Sequence, residues 1–123
     1  MYVLVRSANA SNAPEPTELF RVGGVSFGAS CARDQGGITA KATVTASPAG
    51  AVIASPGGRE VLAPNETEAL LAFGVHGDQF DRIADTGGPW GIFDKRGTSG
   101  VGLVAGMVNT TADECVITVH FAG

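Results

Sequence analysis

No stretch of this sequence repeats apolar residues every three to four positions, so nothing in it asks for an amphipathic helix. Charge is scarce: Asp, Glu, Lys and Arg make up 16% of the chain, against about 25% in ordinary soluble proteins. The eight basic residues, Arg33, Lys41, Arg59, Arg82, Lys95 and Arg96 among them, are scattered, and the formal net charge is −4. A protein that grips phosphates needs such residues grouped on one face, which argues against nucleic acid and against an anionic membrane surface as partners. Near the N-terminus the apolar run is only Tyr2 to Val5. That is too short for the core of a signal peptide and far too short to cross a bilayer, so no membrane insertion is expected. Gly97, Gly100, Gly102 and Gly106 do not fit a dinucleotide-binding glycine pattern, and no phosphate-cradling loop with its lysine is present. No cofactor is therefore expected.

What the chain does have is glycine, proline and strict alternation. Eighteen glycines and six prolines favour short elements joined by tight turns. Ile38, Ala40, Ala42, Val44 and Ala46 share one parity and Thr39, Lys41, Thr43 and Thr45 the other, the signature of a half-buried strand. Further strands are expected over Leu19–Cys31 (interrupted at Gly23-Gly24), Ala51–Ala54, Glu60–Ala63, Glu68–Val75, Trp90–Asp94, Val101–Val108 and Val116–Phe121. In Val101–Val108, Val101, Leu103, Ala105 and Met107 lie on one face. Gly102 and Gly106 on the other invite close approach of a large side chain or another backbone. The fold class is all-β: one domain, a β-sandwich, jelly roll or small barrel. The division expected is an N-terminal arm and linker over 1–17 and a body over 18–123. In the arm, Tyr2, Val3, Leu4 and Val5 form a short strand, followed by a polar, proline-containing stretch from Ser7 to Pro16 that offers no ladder strand. Such an arm can fold back on its own sheet or add a strand to a neighbour's.

The two cysteines belong to the same pattern. Cys31 shares parity with Val25, Phe27 and Ala29, and Cys115 with Ile117, Val119 and Phe121, so both point into the apolar layer. Their positions near opposite ends of the chain favour a disulfide between Cys31 and Cys115; two reduced core thiols are the alternative.

Three constellations bear on chemistry. Gly24-Val25-Ser26-Phe27-Gly28 matches the G-x-S-x-G pattern, with His120 downstream, but a nucleophile elbow needs a strand–turn–helix setting and no helix follows. Ser26 reads as a strand serine, a serine hydrolase is the least favoured function, and no catalytic residue is assigned. His76, Asp78, Asp81 and Asp85 crowd a segment expected to be a loop, without the spacing of a calcium or zinc motif, so no metal is assigned. Trp90, flanked by Gly87-Gly88-Pro89 and Gly91, is either an exposed anchor or a core plug. His76, Asp78 and Trp90 are accordingly the candidate contacts for a carbohydrate or protein ligand, and Tyr2 to Val5 for a neighbouring copy.

The order Phe20-Arg21-Val22-Gly23-Gly24-Val25-Ser26-Phe27-Gly28-Ala29-Ser30-Cys31, then Gly36-Gly37-Ile38-Thr39-Ala40 and finally Glu114-Cys115-Val116, resembles a pattern of small actinobacterial and actinophage β-domains. The resemblance runs loosely over 19–123, with Gly24 where the pattern often has proline. It implies exported or phage structural proteins and no catalytic residues. Together these features lead to the expectation of a non-enzymatic, self-associating assembly subunit in a virion or at a cell surface. The alternative is a soluble carbohydrate- or protein-binding module that uses the 76–90 segment.

Overall fold

The computed structural model describes residues 2–9, 17–34, 37–76, 82–95 and 99–123. Their strands are β1 (Tyr2–Asn9), β2 (Thr17–Val22), β3 (Val25–Asp34), β4 (Gly37–Thr45), β5 (Ala51–Ser55), β6 (Gly58–Leu62), β7 (Thr67–His76), β8 (Arg82–Asp94), β9 (Ser99–Asn109) and β10 (Glu114–Ala122). They form a six-stranded sheet in the order β1-β10-β9-β8-β5-β6 and a four-stranded sheet in the order β2-β3-β4-β7. All pairings are antiparallel, and the two sheets pack face to face as a β-sandwich.

Alternation decides which face each strand buries. In β4, Ile38, Ala40, Ala42 and Val44 are buried, while Thr39, Lys41 and Thr45 stand on the other face. Gly23 takes a positive φ of 59° in the tight β2–β3 turn, so the glycine pair makes a hairpin there. The core is centred on aromatic rings from both sheets. Phe20 stacks on Phe27 at 4.8 Å between centroids, and Phe27 meets Trp90 at 5.6 Å and Phe121 at 5.2 Å. Phe20 and Phe27 come from the smaller sheet, Trp90 and Phe121 from the larger, so these contacts tie the layers together.

Cys31 on β3 and Cys115 on β10 form a disulfide between the sheets, with Cα atoms 5.8 Å apart. It closes across 84 residues of chain. Near it, Arg33 donates from Nε to Oδ1 of Asp113 at 3.2 Å and pairs with the same carboxylate through its terminal nitrogen. The Cys31–Cys115 disulfide is of the kind that persists in oxidising environments. No helix among the described residues is long and apolar enough to cross a membrane.

Two segments expected to be loop or linker are strand. Ser7, Ala8 and Asn9 extend β1 and lie opposite Val116, Cys115 and Glu114. Arg82 to Pro89 belong to β8, with a register shift between Gly87 and Trp90. Small and polar residues give little strand signal of their own, and the ladders offered by β10 and β9 override it. Of the two placements open to the N-terminal strand, the structure shows the first: β1 lies along its own β10.

Candidate interaction surface

The surface begins with an inversion in β9. Its larger side chains Val101, Leu103, Ala105 and Met107 lie on the outer face, while Gly100, Gly102 and Gly106 alternate with Val104 on the inner one. A Cβ on Gly100 would stand 2.6 Å from Cζ of Phe121, one on Gly102 2.4 Å from Cζ2 of Trp90, and one on Gly106 2.8 Å from Cε1 of Phe73. The inner face of β9 is therefore filled by rings carried on other strands at its three glycines, with Val104 and Val108 buried beside them, while Val101, Leu103, Ala105 and Met107 are left for the outside.

Register extends this outward row across the sheet. Val101 lies opposite Ala122 and Gly91; Leu103 opposite His120; Phe93 opposite Ser99 and Val52; Val52 opposite Val61. The large hydrophobic side chains left exposed among the described residues are Val61 (73%), Phe93 (53%), Val101 (61%) and Leu103 (51%), and all four belong to this face. The formal charges at the paired outward positions of β5, β6, β8, β9 and β10 stand at the margins, Arg59 at one end and Arg82 and Glu114, both in register with Asn109, at the other. A hollow of about 300 Å3 opens within it, lined by Pro89, Val101, Gly102, Leu103, His120, Phe121 and Ala122.

The other outer face, on the four-stranded sheet, has a different chemistry. Ser30, Ala32, Thr39, Lys41, Thr43, Thr67 and Ala69 border a depression of about 350 Å3, and the hydroxyls of Thr45 and Thr67 are 2.7 Å apart in a hydrogen bond. Towards β2, Ser26 donates from Oγ to Oε1 of Glu18 at 2.7 Å, and Arg21 pairs with the same carboxylate at 3.0 Å. The Ser26 hydroxyl, followed by the Arg21 charge, holds the Glu18 carboxyl below the usual carboxylate range.

The residues singled out from sequence fall as follows. Trp90 is a core plug: it is 4% exposed and packs against both Phe27 and Phe121, so its reading as a surface anchor is corrected. Tyr2, Val3, Leu4 and Val5 lie on β1 opposite Phe121, His120, Val119 and Thr118. His76 ends β7 opposite Gly37, whereas Asp78 and Asp81 lie outside the described residues. Asp85, placed in a loop from sequence, is on β8 and accepts from the Thr86 amide at 2.8 Å. Ser26 and His120 are on different sheets, both away from the core, and are not brought together. Reading the sequence alone missed Val52, Val61 and Phe93 as surface residues. Their parity was readable, but only the register shows that they share a row with Val101 and Leu103.

Fold and bridge together define the class, a two-sheet antiparallel β-sandwich with an inter-sheet disulfide. The chain matches no protein-family model, no curated protein and no solved structure.

Proposed function

We propose that this chain is a non-enzymatic structural module that associates with copies of itself through the outer face of its six-stranded sheet. The single observation that carries this reading is the uncharged apolar row with Val61, Phe93, Val101 and Leu103 exposed together. Contiguous apolar surface rimmed by polar residues is what association sites present, because covering it removes that area from water. Low overall charge supports the same reading, since little of the surface is committed to solvation. An inter-sheet disulfide suits a subunit that works outside a cytoplasm, and a virion decoration or fibre subunit or a cell-surface coat is the setting proposed.

Sedimentation velocity over a concentration series tests it, comparing the wild-type chain with the double variant Val101→Asp/Leu103→Asp. The wild type is expected to sediment as an oligomer and the variant as a monomer with an unchanged circular dichroism spectrum. A wild type that stays monomeric at every concentration overturns the proposal.

A further inference from the structure

The six-stranded sheet reaches two strands further than the sheet it packs on. β5 and β6 extend past β7, the edge strand of the smaller sheet, and Gly58 to Val61 of β6 are exposed at every position, inward and outward alike. Under this overhang lies a cleft of about 340 Å3 whose walls come from β5, β6, β7 and β8. It occupies the place where a fifth strand of the smaller sheet would lie.

The lining is specific. Ile53, Leu70 and Pro89 supply apolar wall, and the charged residues there are Glu60 and Glu68. Both sit at core-facing register positions, Glu60 opposite Ile53 and Glu68 opposite Val44. Neither carboxylate has a hydrogen-bond or ion-pair partner among the described residues. Trp90 also borders the cleft, and its Nε1 is the buried side-chain polar atom without a hydrogen-bond partner among those residues. Inward-facing acid on an edge strand discourages indiscriminate pairing, so an occupant must bring opposite charge.

We propose that this cleft binds an extended basic peptide segment, which adds a strand along the free edge of β7 and offers lysine or arginine side chains to Glu60 and Glu68. β7 ends its sheet, so its outward backbone N–H and C=O groups provide the ladder. The two carboxylates select a basic side chain, and an acceptor on the segment receives the indole N–H of Trp90. Pro89 borders both this cleft and the hollow on the outer face, but Glu60, Glu68 and the β7 edge belong to the cleft and Val101 and Leu103 to the outer face, so each proposal can fail without the other.

The probe is the acetylated, amidated peptide Lys-Val-Lys-Val-Lys-Val, titrated into the 15N-labelled full chain and followed by amide and indole shifts. Changes are expected at Thr67–Leu71, at Glu60 and at the Trp90 indole N–H. Glu60→Gln/Glu68→Gln, both at positions open enough to leave the fold intact, should weaken binding about tenfold, and the Glu-Val counterpart peptide should leave the spectrum unchanged. Any of three results overturns the proposal: no shifts at about 1 mM peptide, shifts mapping to another surface, or equal binding by the acidic peptide or by the double variant. An oligosaccharide that moves the same resonances while the basic peptide does not also overturns it, in favour of a sugar site.

Discussion

Gly102 lies against the indole of Trp90 so closely that a Cβ there would stand 2.4 Å from Cζ2 and 2.6 Å from the His120 carbonyl oxygen. The first neighbour is a rigid ring packed against both Phe27 and Phe121, and the second is backbone, so neither yields cheaply. Gly102→Ala is expected to cost about 2–3 kcal/mol and to lower the melting temperature by about 10 °C. Trp90→Phe in the same chain should recover part of that loss, because it removes the ring edge while the carbonyl contact stays. Thermal and urea denaturation of the single and double variants measure both, and a double variant weaker than the sum of its parts would contradict the account.

The inter-sheet disulfide makes a separate prediction. Closing 84 residues of chain removes unfolded-state freedom equivalent to about 4–5 kcal/mol in the chain-entropy description. Engineered and natural bridges usually deliver less, so Cys31→Ala/Cys115→Ala should lose about 2–4 kcal/mol in urea unfolding. Intact protein treated with an alkylating agent in the absence of reductant should gain no mass; alkylation at both positions would show that the bridge is not formed in solution.

Both of these relationships were partly written in the sequence. The shared parity of Cys31 with Phe27 and of Cys115 with Phe121 placed both sulfurs inward, and the glycines at 102 and 106 invited close approach of either a large side chain or another backbone. Period-two alternation does not say which sheet a strand joins or what it faces. The identity of Trp90 and Phe73 as those large groups, and the meeting of β3 with β10, therefore waited for the fold. The segment from Asp85 to Pro89 misled for a different reason. Its Asp, Thr, Gly and Pro residues carry turn chemistry, yet pairing with β9 holds most of it in the sheet, and the register shift before Trp90 absorbs the rest. The outer apolar row was half legible: Val101 and Leu103 showed a common face, while Phe93 and Val61 joined it only through strand pairing.

Ser26 and Glu18 offer a pH prediction. Because hydrogen bonding from Ser26, helped by Arg21, lowers the Glu18 pKa in the folded chain, the stability it contributes is present at neutral pH. That contribution is lost as the pH falls through the lowered folded value, below the usual carboxylate range. Ser26→Ala should move the Glu18 carboxyl back up towards its ordinary value, read by carboxyl-carbon NMR titration. A titration midpoint unmoved by the substitution would show that the hydroxyl is not the cause. With its hydroxyl engaged by a carboxylate and His120 on the other sheet, Ser26 should also remain unlabelled by a serine-reactive phosphonate.

The inversion in β9 predicts opposite outcomes at adjacent positions. Gly102 faces a packed ring, whereas Leu103 points outward and is half exposed, so it contributes little to the core of a single subunit. Leu103→Thr keeps strand propensity and removes apolar surface, and in dilute protein it should change unfolding free energy by no more than about 0.5 kcal/mol. The same substitution should shift the association equilibrium towards smaller species, because the surface it alters is the one proposed to be covered. Urea unfolding at low concentration and sedimentation at high concentration separate the two effects. A large loss of stability in the dilute protein would mean that Leu103 is held by its own chain, and the outward row would no longer be available to a second copy.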